Sequence, residues 1–327
     1  MELSKADLTD GKELPGASLQ VLDSNGTVVE EWISTDEPHL IRGLLVGETY
    51  TMVETKPADG YTTAESIEFK VEDTAEVQKH QMLDDVTKVE ISKTDVTDSK
   101  EVPGAKLTIL DKDGKVVESW VSKKDPHMVE KLPVGTYTLR EEQAPDGYLV
   151  AEEVSFEVKD SGEVQKVEMK DARPVGKLVL KKTGAEDGSP LAGAEFELRI
   201  KKSGKVVATL VTDEEGIATS GDIPIASYKD GKMKKEIEYI LVETKAPDGY
   251  VRSEKEESVV FTYQDDKTKE IEITKELTNE RIPTGDYVKS PKTGDDTNIW
   301  LPILLLVLSV GGIAGIFWYT KKKNHEE

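Results

Sequence analysis

Cysteine is absent from the sequence, which excludes disulfides, thiolate catalysis and cysteine-type zinc sites. Histidine is scarce, with four in the chain, so a His-rich metal centre or a His-dependent triad has few candidates. Cations are outnumbered: 43 Lys and Arg stand against 65 Asp and Glu, for a formal net charge of -22 over 327 residues. Nucleic acid needs a basic face for its phosphates, so it is not expected as a partner, and neither is electrostatic docking on anionic lipid. The acidic surface reads as a solvated face that keeps the chain soluble. Hydrophobic residues make up 36% and charged residues 33%, enough for small cores but not for one large core. At roughly 100–200 residues per domain, the length suggests two or three domains.

Long hydrophobic runs are lacking except at one place. Ile299 to Thr320 (IWLPILLLVLSVGGIAGIFWYT) is 22 residues without a charge, followed by Lys321, Lys322 and Lys323. That length crosses a bilayer core, and a buried soluble helix would show a polar face. Residues 299–320 are therefore expected to form a transmembrane helix, with 321–327 as a basic cytoplasmic tail and residues 1 to about 298 outside. Gly311 and Gly315 fit a small-xxx-small packing face. Met1 to Pro15 carries no basic segment followed by an apolar run, so an export signal is missing from this stretch. The chain reads as the C-terminal part of a longer protein, or a gene started late, with its signal and further domains upstream.

The remainder is three repeats. Lys5, Gly16, Trp32, Pro38-His39 and Gly47 recur 88 residues later as Lys93, Gly104, Trp120, Pro126-His127 and Gly135. Tyr50, Glu54 and Gly60-Tyr61 recur as Tyr137, Glu141 and Gly147-Tyr148. A third unit opens with KLVLKKTG from Lys177, continues with PLAGAEF and closes with YILVETKAPDGY, an insertion near Ile217 to Glu236 adding to its length. Short alternating runs separated by turn signals make each unit all-β, a small Ig-like sandwich. Asn25-Gly26 and Asp113-Gly114 look like tight hairpin turns. Asp111 to Gly114 lacks the full calcium-ligand spacing, so no metal is expected there. His39, His127, Trp32 and Trp120 read as structural, and Asn25-Gly26-Thr27, though a sequon, as a turn.

A polar trio lies on the buried parity of each unit. Residues two apart in a strand share a face. Val89, Ile91 and Lys93 share one, as do Leu178, Leu180 and Lys182, and Leu3 and Lys5. The same count places Glu54, Glu141 and Glu243 behind Met52, Leu139 and Leu241, and Asp84, Asp171 and Asn279 behind Met82, Met169 and Leu277. Lys and acidic residues are almost never fully buried unless paired. One reading is covalent: a desolvated lysine amine is nucleophilic, a neutral acid moves protons, and an Asp or Asn carbonyl is the electrophile. The other is a buried ion-pair network, and parity leaves both open.

Lys in the first strand, Gly-Ala near its end, Y-x-L-x-E-x-x-A-P-x-G-Y and a closing Asn or Asp together resemble the SpaA/Cna-B family. These are prealbumin-like domains of Gram-positive surface proteins and pilins. The resemblance implies three tandem prealbumin-like β-sandwiches at 1–86, 87–174 and 175–283, the last with its insertion. It implies three isopeptide sets: Lys5, Glu54 and Asp84; Lys93, Glu141 and Asp171; Lys182, Glu243 and Asn279. The glutamates would be the bond-promoting acids. Two units carry Asp where the family commonly carries Asn, and the first has KPADGY in place of xAPDGY.

Ser290, Pro291, Lys292, Thr293 and Gly294, in a linker at 284–298, resemble a sortase sorting signal with Ser in place of Leu. In that family cleavage falls between Thr and Gly, here after Thr293, and the carbonyl passes to a cell-wall or pilin amine. The expected protein is a cell-wall-anchored surface protein, membrane-spanning through 299–320 before sorting, that serves as the stalk of an adhesin-like protein. Its partners would be sortase, a peptidoglycan or pilin amine and, for an adhesin, a host ligand, with no cofactor. A pilus minor or anchor subunit and a host-ligand-binding adhesin module are the alternatives. No nucleophile–base pair or phosphate loop stands out, so an enzyme is not expected, and the predicted chemistry is single-turnover and intramolecular.

Overall fold

The computed structural model describes residues 1–283, and among them it contains strands and no helix. The first module holds β1 (Glu2–Asp7), β2 (Ser18–Leu22), β3 (Val28–Ile33), β4 (His39–Leu40), β5 (Thr49–Lys56), β6 (Ile67–Lys70) and β7 (Lys79–Asp84). The second repeats them as β8 (Lys88–Asp95), β9 (Lys106–Leu110), β10 (Val116–Val121), β11 (His127–Glu130), β12 (Gly135–Gln143), β13 (Val154–Val158) and β14 (Val164–Asp171). The third runs through β15 (Val175–Gly184), β16 (Glu195–Ile200), β17 (Val206–Val211), β18 (Ile217–Thr219), β19 (Ile223–Pro224), β20 (Ala226–Lys229), β21 (Lys232–Glu236), β22 (Glu238–Lys245), β23 (Glu257–Val260) and β24 (Glu270–Asn279).

Each module is a sandwich of two sheets. In the first, β4-β1-β7 faces β3-β2-β5-β6; in the second, β11-β8-β14 faces β10-β9-β12-β13. The third packs β17-β16-β22-β23 against β15, which carries β18, β19 and β24. Alternation makes this work: β5 buries Tyr50, Met52 and Glu54, and β22 buries Tyr239, Leu241 and Glu243, every second side chain in each. Leu3, Leu19, Val21, Met52, Phe69 and Met82 fill the first core, and Ile91, Leu107, Ile109, Leu139 and Met169 the second. Leu178, Leu180, Phe196, Leu198, Tyr239 and Phe261 fill the third. Each fully buried side chain of this size contributes about 1.5–3 kcal/mol.

The first and last strands of each module are parallel neighbours: β1 with β7, β8 with β14, β15 with β24. Parallel pairing requires a crossover, supplied here by the chain's passage through the opposite sheet. Registers agree: Asp7 pairs with Asp84, Asp95 with Asp171 and Gly184 with Asn279, each two residues beyond the strand's lysine.

Three local expectations take a different form. The hairpins at Asn25-Gly26 and Asp113-Gly114 are five-residue loops rather than two-residue turns. The Asp23 carboxylate accepts from the Asn25 and Thr27 N–H groups at 2.8 and 2.9 Å, and Asp111 does the same for Asp113 and Lys115. These Asx contacts hold a wider loop without a strained pair. The third-module insertion is partly a substitution: β18 and β19 pair with β15 where β4 and β11 pair with β1 and β8, and the β20–β21 hairpin is the added part. The Trp residues are only partly buried. Trp32 stacks on His39 and Trp120 on His127, both at 4.4 Å between ring centres, and each histidine also meets a strand carboxylate, Glu30 or Glu118.

Candidate functional site: a buried lysine, a glutamate and an Asp or Asn in each module

The lysine comes from the first strand, the Asp or Asn from its parallel neighbour, and the glutamate from the facing sheet. Parity aims all three inward, and the register sets the lysine diagonal to its acceptor, within reach of a long side chain. Lys5, Lys93 and Lys182 are 2%, 1% and 1% exposed, and the other six residues are buried.

Lys5 Nζ donates to Asp84 Oδ1 and lies 2.9 Å from Glu54 Oε1. Lys93 Nζ donates to Asp171 Oδ1 and lies 3.2 Å from Glu141 Oε2. Lys182 Nζ donates to Asn279 Oδ1 at 2.5 Å and to the Thr278 carbonyl at 3.1 Å, with Glu243 Oε1 at 3.4 Å. All nine sequence-derived residues thus fall into three trios. Neighbours that could have competed do not: Asp85 pairs with Lys88, and Lys181 faces outward to Glu276.

The glutamate is clamped in every copy by a backbone N–H ten residues later. Ala64, Ala151 and Ser253 each donate to its Oε2 at 2.6 Å. These donors belong to no motif, and only their constant spacing after the glutamate marks them in the sequence. In the third module Asn279 Nδ2 donates to Glu243 Oε1 at 2.8 Å, joining acceptor and acid. The first two modules have no such N–H. There Glu54 Oε1, Asp84 Oδ2, Glu141 Oε1 and Asp171 Oδ2 are buried without a hydrogen-bond partner. Unmet buried groups cost about 1–3 kcal/mol each, and a carboxyl that keeps its proton lowers that cost by donating.

The electrostatics agree. Burial pushes Asp84 and Asp171 up to about 7, against the pull of the lysine, and the neighbouring glutamate pushes the same way as burial. Burial lowers Lys182, with Glu243 opposing it. Uncharged forms are thus favoured at different members of the trios: an acid kept protonated near neutrality at Asp84 and Asp171, and an amine short of its usual proton affinity at Lys182. Phe196 lies under Lys182, 5.4 Å from its nitrogen. A cleft of about 510 Å³ lined by Lys182, Glu243, Ser253 and Thr278 opens beside the third site. The expected sorting residues Ser290 to Gly294 and the span 299–320 lie outside the described residues.

Fold and site define a class: tandem prealbumin-like sandwiches, each with a lysine, a glutamate and an Asp or Asn inside. The SpaA family, a prealbumin-like fold domain, matches residues 1–85, 87–173 and 176–277, and the chain belongs to that family. Among solved structures, the Bacillus anthracis TIE protein is similar at 27% identity and a TM-score of 0.53, over 86% of this chain and 50% of that one. This chain thus spans half the length of that protein. BcpA, the major pilin subunit of Bacillus cereus, is 18% identical with a TM-score of 0.48, covering 86% of this chain and 99% of its own. A streptococcal ancillary pilin is 15% identical with a TM-score of 0.32, at 86% and 98% coverage. The comparison with curated proteins returned no match.

Proposed function

We propose that the chain is the C-terminal stalk of a cell-wall-anchored surface protein of a Gram-positive bacterium, its modules locked by self-formed isopeptide bonds. The observation that carries this is the trio: three times over, a buried lysine nitrogen rests against the side-chain oxygen of Asp or Asn, with a clamped glutamate beside it. Lysine Nζ attacks Cγ of Asp84 or Asp171, the Cγ–O bond breaks, and the displaced oxygen leaves as water after taking an amine proton. At Asn279 the Cγ–N bond breaks instead, Glu243 passes the amine proton to Nδ2, and ammonia leaves. Fixed placement of amine and carbonyl supplies much of the barrier reduction. The bonds would close loops between residues 79, 78 and 97 positions apart. Pulling force would then pass through the cross-link between adjacent strands and bypass the core.

The sorting motif, apolar span and lysine cluster, in that order after these modules, support sortase processing after Thr293 and transfer to a peptidoglycan amine. On this reading the modules span 1–86, 87–174 and 175–283. A pilus minor or anchor subunit is the second reading. The sequence holds no Tyr-Pro-Lys acceptor of the shaft type, which favours the monomeric anchor. Wall extracts run on denaturing gels separate the two, a ladder for a pilus and one species for an anchor.

The two chemistries differ in their response to pH. Asp84 and Asp171 are raised by burial, so the neutral, reactive acid is present below about 7 and lost as pH rises through it. Lys182 is lowered by burial, so its free amine gains as pH rises. In protein freshly made by cell-free synthesis, loss of water at the first two sites is expected to slow from pH 6 to pH 8, by roughly tenfold if one ionisation controls it. Loss of ammonia at the third is expected to hold or quicken. Time-resolved mass spectrometry reads both, and a common pH response at all three sites would refute the distinction between acid and carboxamide acceptors.

A further inference from the structure

The joint between the first and second modules is built from charge, and the joint between the second and third from aromatic packing. Asp7 ends β1, and the Tyr61 hydroxyl donates to its Oδ2 at 2.8 Å. The cation facing this pair comes from the next module: Lys131 Nζ donates to the Tyr61 oxygen at 2.5 Å and to Asp7 Oδ2 at 3.3 Å. Lys131 holds φ +63°, a left-handed conformation that side chains disfavour, whereas its counterpart in the first module is Gly43 at φ +81°. A lysine thus stands where glycine is the unstrained choice, and its reach across the joint accounts for it. The other links here are polar too: the Thr87 N–H donates to the Gly60 carbonyl at 3.0 Å and the Thr63 N–H to Asp160 Oδ1 at 2.7 Å. The apolar cluster beneath is drawn entirely from residues 14–86.

At the second joint the same Asp–Tyr pair recurs as Asp95 and Tyr148, with the hydroxyl bond at 2.7 Å. Arg173, from the connecting segment, fills it, with Nη2 2.6 Å from Asp95 Oδ2. Tyr228 of the added β20–β21 hairpin then closes over both. Its ring lies 4.0 Å from the Arg173 guanidinium carbon and edge-on to Tyr148 at 5.2 Å, and its hydroxyl donates to the Gly147 carbonyl at 2.5 Å. Tyr228 packs against a buried apolar cluster of the second module, Val102, Ala144 and Tyr148. Among the described residues nothing equivalent crosses the first joint.

We propose that Asp7 and Tyr61 form a socket for an electrostatic latch, Lys131, which makes the first joint a salt-sensitive hinge, while the 226–236 hairpin is a clamp that holds the second joint in the same salt. Lys131 is half exposed, at 51% of its side chain against 11% for Asp7, so mobile ions reach the pair. Screening shortens from about 10 Å at 0.1 M to about 3 Å at 1 M, and the aromatic clamp is not weakened this way. The latch pair stays ionised at neutral pH. Burial works to raise Asp7, but bonds from the Thr9 N–H, Tyr61 and Lys131 outweigh it and hold it at about 2. The Lys131 ammonium is raised, chiefly by its bond to Tyr61. The contrast with the buried trios is chemical: solvent keeps this Lys–Asp pair ionic and unreactive. The proposal does not depend on the isopeptide reading.

The test uses the absence of native cysteine. Cysteines placed at the exposed hairpin tips, as Ser24→Cys with Lys112→Cys and as Lys112→Cys with Lys202→Cys, carry spin labels for distance measurement across each joint. The width of the first distribution is expected at least to double between about 0.1 and 1 M salt, and to do so at low salt in Lys131→Met. The second is expected to keep its width in both, and to broaden only in Tyr228→Ala. A first-pair width that either the salt or the Lys131 substitution leaves unchanged overturns the latch. A second-pair width that grows with salt as much as the first overturns the clamp.

Discussion

Glu141→Gln is expected to leave the second module uncondensed, about 18 Da heavier than the parent at that site, and to destabilise it by about 4–5 kcal/mol. The size comes from chain entropy. Lys93 and Asp171 are 78 positions apart, and tying a loop of that length restricts the unfolded chain by about that amount on the disulfide scale. At about 4–8 °C per kcal/mol for a domain of this size, the calorimetric transition of the module should fall by about 20 °C or more. Glutamine is chosen because it still accepts from the Ala151 N–H and fills the same space, so the glutamate's clamp survives. What it removes is the carboxyl whose charge helps burial to raise Asp171. Lys93→Met should give the same unmodified acceptor by removing the nucleophile. If both variants differed from the parent only by the mass of the substitution itself, the parent would be uncondensed and the trio an ion-pair network and nothing more.

Tyr148→Ala is the second large effect, expected at about 3–5 kcal/mol as a fully buried aromatic deletion. Tyr148 is wholly buried, closes the Ala-Pro-Asp-Gly-Tyr turn through its N–H to the Pro145 carbonyl at 3.0 Å, and packs beside Val102 and Ala144. Gly147 within the turn sits at φ +89°, which fixes glycine there. Tyr148→Phe keeps the packing and removes only the hydroxyl bond to Asp95. Asp95 would keep Arg173 and the Thr97 N–H at 2.7 Å, so about 1–3 kcal/mol is expected. Urea midpoints of the two variants separate the contributions. An alanine variant no less stable than the phenylalanine one would show that packing at this turn does not hold the module.

The parts legible in the sequence were those written at period two. Parity placed lysine, glutamate and Asp or Asn on the core side of their strands in all three modules, and the burial agrees residue by residue. Parity is silent about which strands are neighbours. That the first and last strands run parallel, with the acceptor two residues beyond the lysine, follows from the crossover and from pairing registers that no single strand encodes. The joints were illegible for a related reason. Asp7 and Asp95 stand two residues after their lysines, and Tyr61 and Tyr148 close the Asp-Gly-Tyr turns, so the repeat held a signal. Gly184 breaks it in the third module, and the cation arrives from a different segment each time, Lys131 in one joint and Arg173 in the other. The insertion showed as extra length. Half of it instead replaces the short edge strand of the other modules, because β15 needs an antiparallel partner on that side whatever loop supplies it.

Composition does not reveal how the acid and amide acceptors differ. Asp84 and Asp171 look like weaker versions of Asn279 in sequence, yet their Oδ2 atoms are buried without a partner where Asn279 Nδ2 donates to Glu243, and burial raises both acids to about 7.

Intact mass spectrometry of the segment 1–283 tests the central claim most directly. Two waters and one ammonia should be missing, a deficit of about 53 Da, with tryptic branched peptides joining Lys5 to Asp84, Lys93 to Asp171 and Lys182 to Asn279. A mass equal to the unmodified chain, with all three lysines recovered in linear peptides, would contradict it.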